Sequence, residues 1–303
     1  MKITTTVGAL VLALAAPFAA EAAFIYGIDD SNILWEINPK AKTNRSLLST
    51  GLTTQSNAFA FDTARGHMFF LNRGGATNAT NTNNMYQWNS NTNAFNKIAD
   101  GSALGIAGIT VPANAAYYNN AYWFFKERTS DLLKVSMGYS GPVPEVTFVE
   151  TFTPTLSLPA GSQNAFGDIA IDPNTGTLYA YTAQGSGGDF YSLDLSGGTV
   201  GGFNLIKAGG SAIGLQISFD ETFTTLYGHN YNDGKWYEVD TATGALTDLD
   251  FASLVGNDAN GIPRGLRDVG GSALAQVPEP GSSLVLGLLS LVGCAAAARR
   301  MKA

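Results

Sequence analysis

The order of apolar and polar positions repeats along this chain. "LYGHNYNDGKWYEVD" (Leu226 to Asp240) and "IYGIDDSNILWEIN" (Ile25 to Asn38) each open on an aromatic strand, turn through Asn, Asp, Ser or Gly, and return as a second alternating strand. In both, a Trp follows the leading Tyr by nine residues, Trp35 after Tyr26 and Trp236 after Tyr227. Three further copies lie between them: "MFFLNRGGATNATNTNNMYQWN" from Met68, "YWFFKERTSDLLKVS" from Tyr122 and "LYAYTAQGSGGDFYSLD" from Leu178. Period-two alternation bounded by turn residues predicts a β-hairpin in each.

A further strand precedes four of these hairpins, with a regular turn. Asp62 stands six residues before Met68, Asp172 six before Leu178 and Asp220 six before Leu226. Asp suits such turns because its carboxylate bonds the backbone, and Gly supplies positive φ. The third copy, in "GIAGITVPANAAYYNNAYW", is degenerate. Weaker segments such as "AFNKIA" and "GALTDLDF" follow the hairpins, which gives about four strands per unit.

The first hairpin, at Ile25, lacks a preceding strand, and "PRGLRDVGGSALA" (Pro263 to Ala275) has no hairpin of its own. Joining the two ends closes a ring, which removes exposed sheet edges, and units of about 40 to 50 residues match the period of propeller blades. The expected fold is an all-β, five-bladed β-propeller closed by pairing of its N- and C-terminal strands. The longest gaps leave room for a sixth blade, and a two-sheet sandwich is the alternative.

The two ends of the chain read differently. Residues 1–22 carry an early Lys2, an apolar stretch from Val7 to Ala20 and the sequence Ala20-Glu21-Ala22, the layout of a secretory signal peptide cut after Ala22. Residues 281–298 are uncharged, and as a helix would span roughly 27 Å, close to the hydrocarbon core of a bilayer. Arg299, Arg300 and Lys302 follow at once, and basic residues stay on the cytoplasmic side. The chain therefore divides into a signal peptide (1–22), an exported domain (23–275) and a tail (276–303).

Pro278-Glu279-Pro280, then one apolar helix, then the pair Arg299 and Arg300 resembles the PEP-CTERM sorting signal of exported proteins in Gram-negative, exopolysaccharide-producing bacteria. The resemblance covers Val277 to Lys302. It implies recognition near Pro278-Glu279-Pro280 by an exosortase, a transpeptidase-like membrane protease, with the helix holding the protein in the inner membrane until processing. The cell surface or the extracellular space is then the implied destination. A similar tail is known as an ice-binding protein C-terminal domain, a label that carries no ice-binding function. A plain membrane anchor is the alternative reading.

Composition sharpens the middle of the chain. It is rich in Gly (35 in the whole chain) and aromatic residues, with only 14% charged residues, a profile of short strands and turns. The whole chain carries −7. Lys2 and Glu21 cancel, and the tail sets three basic residues against Glu279, so the exported domain carries −9. That charge repels nucleic acid and anionic lipid. The single Cys, Cys294, lies in the tail, so the exported domain has no disulfide.

Candidate chemistry is sparse. Two histidines, His67 and His229, at a similar phase of their units, lack the further His or Cys of a zinc site, and neither a nucleophile elbow nor a phosphate loop occurs. "DDSN" at Asp29 and "NYNDG" at Asn230 read as hairpin turns rather than calcium loops. Asn44 and Asn78 stand in Asn-x-Ser/Thr patterns that say nothing in a bacterial export context. Residues 74–84, "GGATNATNTNN", read as a long polar loop. Trp35, Trp88, Trp123 and Trp236 are expected to pack between blades; a sugar-stacking platform would instead leave them exposed.

Asp168, Gln216 and Asp268 fall in the expected inner strands, with Arg264 and Arg267 near the last. Two functional readings follow. The favoured one is a non-enzymatic, cofactor-free exported propeller that binds or scaffolds extracellular material such as exopolysaccharide or a matrix protein. The other is a polysaccharide-cleaving enzyme using Asp168 and Asp268 as the two carboxylates that glycoside hydrolysis needs.

Overall fold

A computed structural model of the protein describes residues 24–271, apart from residues 63, 76–77, 111–113, 127–128, 158–165, 183–187, 198–199 and 210–214. The signal peptide and the tail, with Pro278, Glu279, Pro280, Arg299 and Arg300, lie outside the described residues.

Five four-stranded antiparallel sheets form the blades of a β-propeller. Blade one contains β1 (Ile25–Ile28), β2 (Ile33–Asn38) and β3 (Thr43–Ser49). Blade two contains β4 (Ser56–Asp62), β5 (His67–Asn72), β6 (Asn84–Asn89) and β7 (Ala94–Ala99). Blade three contains β8 (Ala116–Tyr118), β9 (Ala121–Phe125), β10 (Leu132–Gly138) and β11 (Glu145–Phe152). Blade four contains β12 (Phe166–Asp172), β13 (Thr177–Thr182), β14 (Phe190–Asp194) and β15 (Asn204–Lys207). Blade five contains β16 (Leu215–Phe219), β17 (Leu226–Asn230), β18 (Lys235–Val239) and β19 (Leu246–Ala252). A small hairpin, β20 (Gly256–Asn257) and β21 (Pro263–Arg264), leads to β22 (Asp268–Gly271). There are five blades among the described residues, neither six blades nor a sandwich.

Strand β22 supplies the inner strand that blade one lacks. It pairs antiparallel with β1, Ile28 opposite Asp268 and Ile25 opposite Gly271. The expected closing segment, Pro263 to Ala275, was too long at its front: Pro263 and Arg264 pair instead with Gly256 and Asn257. The seam needs its glycines. A Cβ on Gly27 would stand 2.6 Å from the Asp268 carbonyl oxygen, and one on Gly270 would stand 2.8 Å from the Phe59 ring. The degenerate third copy is real: β8 has three residues, against seven in β4 and β12.

The core is not one mass but five seams between neighbouring blades. Tyr26 and Leu34 of blade one pack on Phe59, Met68 and Phe70 of blade two. Phe69 and Leu71 of blade two meet Tyr122 and Leu133 of blade three, whose Phe125 and Leu132 meet Ile169 and Tyr191 of blade four. Tyr181 and Phe190 pack on Leu215 and Ile217 of blade five. Tyr227 and Trp236 close the circle on Ile25, Leu266 and Val269. A sheet covered on both faces buries both sides of its inner strands, which explains why β4, β5, β9 and β17 are mostly apolar and buried throughout. The fourth strands form the rim. They bury no position fully, which is why they read weakly in the sequence.

Local turns follow the side chains expected to build them. The Asp172 carboxylate accepts the Asn174 amide at 2.8 Å, its carbonyl accepts the Gly176 amide at 2.8 Å, and Asp220 accepts the Thr224 amide at 3.0 Å. Asp29 accepts the amides of Ser31 and Ile33, and Asn230 accepts that of Asn232. Both segments are hairpin turns, as expected.

Candidate functional site

The inner strands β4, β8, β12, β16 and β22 surround the axis, where a binding or catalytic group would be expected. Among the described residues, the axis is nearly full. Beside Ile169, Ile217, Ala60, Ala116, Val269 and Gly270 it leaves a cavity of about 40 Å³, and one water needs roughly 10–15 Å³. That space suits a few waters, not a sugar ring.

Asp168 on β12 and Asp268 on β22 are both brought to this axis, and both are fully buried. Each carboxylate is used by backbone amides. Asp168 accepts from Ile169 at 2.7 Å and Ile217 at 3.0 Å, and from Ala115, so it ties blade four to blades five and three. Asp268 accepts from Val269 and Phe59 at 2.9 Å each, and from Ala58, so it ties blade one to blade two. A bulge in β4 makes the second set possible. Ala58 adopts φ 58° where the register shifts between Asn57 and Ala60, and it turns two successive amides toward one anion.

The negative charge of Asp268 also acts on Asp168 across the axis. Burial, together with the partner acid, pushes Asp168 well above the usual carboxylate range, and burial does the same to Asp268. A retaining glycosidase holds its carboxyls about 5–5.5 Å apart, an inverting one about 6.5–9.5 Å, with substrate between them. Here their oxygens are taken up by backbone amides of the blades they join. Neither is a solvated channel residue. The two arginines expected beside them are engaged elsewhere, Arg264 with Asp258 at 3.0 Å and Arg267 with Asp30. Gln216 is buried on β16 next to Ile217.

The histidines do not share a phase. His67 is the first residue of β5, opposite Asp62, and His229 is the fourth of β17, opposite Gln216. They sit at opposite ends of their strands, in blades two and five. His229 Nε2 accepts the Leu266 amide at 2.8 Å, so the neutral ring keeps its proton on Nδ1. The Asn89 Oδ1 accepts the Asn91 amide, which leaves Asn89 Nδ2 to donate to His67 Nε2 at 3.1 Å. Burial holds both rings below their ordinary value, His229 down to about 3. Among the described residues, no three His, Cys, Asp or Glu side chains gather in a group that could hold a metal.

The linkage at His229 has a defined sign. Its folded value lies below its unfolded one, so its contribution is present above about pH 6.5 and is lost as pH falls toward 3. His229→Gln can keep the Leu266 bond through its side-chain oxygen. In urea denaturation, the stability difference between wild type and His229→Gln is expected to change by about 1.4 kcal/mol per pH unit below pH 6.5. A constant difference from pH 6.5 to 4.5 would contradict this account.

Three of the four tryptophans are core residues: Trp88, Trp123 and Trp236 are buried between blades. Trp35 is half-buried, and its indole donates to Asp29 Oδ2 at 3.0 Å. The polar loop is pinned rather than open: Asn81 Nδ2 donates to the Ile109 carbonyl at 2.9 Å and Asn83 Nδ2 to that of Ile106 at 2.6 Å. Among the described residues, the surface has shallow depressions of about 410 Å³ beside Thr80, Asn81 and Asp100, and about 590 Å³ beside Ile98, Val146 and Phe148.

No protein-family model matches this chain, and no curated protein matches it. Solved structures do resemble it. A chain from a nidogen/laminin complex is 10% identical, with 82% of this chain and 97% of that one covered and a TM-score of 0.48. An auxiliary nutrient binding protein from Bacteroides thetaiotaomicron VPI-5482 is 11% identical, over 82% of this chain and 58% of the other, with a TM-score of 0.45. A streptogramin B lyase is 14% identical, over 78% and 71%, with a TM-score of 0.43. Likeness at these levels transfers neither ligand nor activity to this chain.

Proposed function

We propose that this chain is an exported propeller that binds or scaffolds extracellular material such as exopolysaccharide, after sorting by an exosortase-type protease through Pro278-Glu279-Pro280. The observation that carries the non-enzymatic part is the state of its paired carboxylates. Asp168 and Asp268 are buried and occupied by amides of the blades they join. Groups used in this way hold a ring together. The net charge of −7 supports a partner that is neither nucleic acid nor an anionic surface. Screening the purified protein against an array of glycans tests binding. Turnover of the host's own polysaccharide, abolished by Asp168→Ala in a protein that still folds, would overturn the proposal in favour of catalysis.

The sorting part has its own test. Prolines at 278 and 280 resist helix and hold an extended segment that a protease cleft can engage. Arg299 and Arg300 resist transfer through hydrocarbon. Intact mass of the mature protein from its native host is expected to show loss of residues 1–22 and of the chain beyond the Pro278-Glu279-Pro280 region. Alanines at 278–280 should leave the tail uncut in the inner membrane. A wild-type mass that includes every residue through Ala303 would refute processing.

A further inference from the structure

We propose that a neutral polysaccharide lies across the surface where the outer strands of blades two and three meet, stacked on Phe148 and hydrogen-bonded by residues 79–84 and 100–108. The proposal rests on the binding reading above and gives that reading a site. Its first half is apolar. β11 is the outer strand of blade three, and Phe148 within it is 59% exposed, the most exposed large apolar side chain among the described residues. With Ile98, Ala99, Ala103, Val146 and Val149 it lines the depression of about 590 Å³. The C–H face of a sugar ring is apolar, so covering an exposed aromatic ring with it removes both surfaces from water. Trp88, Trp123 and Trp236 cannot serve in this way, because they are buried between blades.

The second half is polar. Residues 98–103 wall both depressions: Ile98, Ala99 and Ala103 line the apolar one, and Asp100, Gly101 and Ser102 line the one of about 410 Å³. Thr80, Asn81, Thr82 and Asn84 complete its polar lining. Hydroxyl and amide groups of these kinds both donate and accept, as sugar hydroxyls require. Both volumes fall within the range of ligand sites, roughly 300–1,000 Å³. Their shallowness suits a chain passing over the surface rather than a small molecule enclosed in it.

The polar wall is held in shape before any ligand arrives, so binding need not order it. Asn83 Nδ2 donates to the carbonyls of Ile106 and Ile109 at 2.6 and 3.0 Å, Asn81 Nδ2 to that of Ile109 at 2.9 Å, and the Gly108 amide to the Asn81 carbonyl at 2.7 Å. Leu104 and Ile106 anchor the turn in the seam between the two blades. A Cβ on Gly101 would stand 1.9 Å from the Thr82 carbonyl oxygen, so only glycine lets the two segments approach. These bonds use one end of each asparagine amide. Asn81 Oδ1 and Asn83 Oδ1 are buried and accept from nothing among the described residues, which is costly to stability. Asn81 is 2% exposed and belongs to the polar wall, so a sugar hydroxyl, directly or through one water, supplies the missing donor.

Charge selects the kind of chain. Neither depression is lined by a lysine or arginine among the described residues, whereas Asp100 and Glu145 do line them, and Lys97 balances Asp100 at 2.9 Å. A uronate or sulfated chain would meet acids here and no free cation; a neutral one meets no such repulsion.

The test is native electrophoresis of the protein as purified from its host, through gels containing the neutral fraction of the host's own polysaccharide, dextran or laminarin, with alginate as the acidic comparison. At least one neutral gel should retard the wild type, and alginate should not. Phe148→Ala should weaken retardation about tenfold or more. Thr82→Val combined with Ser102→Ala should weaken it severalfold, and both variants should melt like wild type because the three side chains are exposed. Leu254→Ala, which removes an exposed apolar side chain in a different part of the surface, should leave retardation unchanged. Retardation that survives both site variants, that falls equally in Leu254→Ala, or that occurs with alginate alone would overturn this site and leave the binding reading standing. Absence of retardation in every gel would overturn both. Dissociation of an oligomer by Phe148→Ala with retardation unchanged would make this face a contact between copies of the chain, and would also overturn the proposal.

Discussion

Deleting residues 265–271 is expected to turn a closed ring into an open, self-associating sheet. The deletion removes four kinds of interaction at once. It strips the ladder from β1, whose unpaired N–H and C=O groups then form an exposed edge. It empties the seam of Leu266 and Val269, both buried, at about 1.5–3 kcal/mol each. It leaves the amides of Ala58 and Phe59 without their carboxylate, at about 1–3 kcal/mol for each buried unsatisfied donor. It also frees Asp30 from Arg267 and the His229 ring from the Leu266 amide. Together these exceed about 5 kcal/mol, the lower range of domain stability. Light scattering and thermal melting should show association and loss of a single cooperative transition. Gly27→Val is the milder version, since its side chain would meet the Asp268 carbonyl and the Leu266 side chain. A deletion that melts like wild type and remains monomeric would mean that ring closure does not hold the fold.

The hairpins and their turns were legible because their causes are local. Period-two alternation reports which face of a strand is covered, and an Asp at a strand end, as at Asp172 or Asp220, bonds amides two to four residues on. Ring closure was legible by counting strands: one hairpin lacked a partner at the start, and one strand was left over at the end. The front of the closing strand was misplaced because Pro263 and Arg264 are extended residues that found another partner, and alternation does not name partners.

The axis was legible only in part. Asp168 and Asp268 stood out as acids within apolar strands, and a buried acid requires donors or another acid. Their convergence on one axis could not be read, because they are 100 residues apart on non-adjacent blades. The bulge that serves Asp268 gave no signal either, since an alanine at positive φ looks like any alanine. The histidines misled for a related reason. His67 opens its strand and His229 nearly ends its own, a difference of half a strand that a loose alignment of the units absorbs.

Trp236→Ala should be the most damaging single substitution in the seam between blades five and one. Trp236 is fully buried, its indole N–H donates to Ser253 Oγ at 2.8 Å, and its ring lies 4.4 Å from that of His229. Truncation leaves a cavity among Ile25, Ile37, Tyr227 and Leu266, strands whose turns fix their spacing and limit collapse. Phe or Trp to Ala in such a site costs about 3–5 kcal/mol, and for a domain of this size that lowers the melting temperature by roughly 10 °C or more. Trp35 is the control. It belongs to the neighbouring blade in the same seam, but it is half-buried and its polar end is held by Asp29. Trp35→Ala should cost about 1–2 kcal/mol. The pair also separates packing from recognition: a tryptophan that stacks on a sugar would lose binding when truncated while leaving the melt nearly unchanged. Were Trp236→Ala to melt within a degree or two of wild type, the interblade seam would not be what sets stability here.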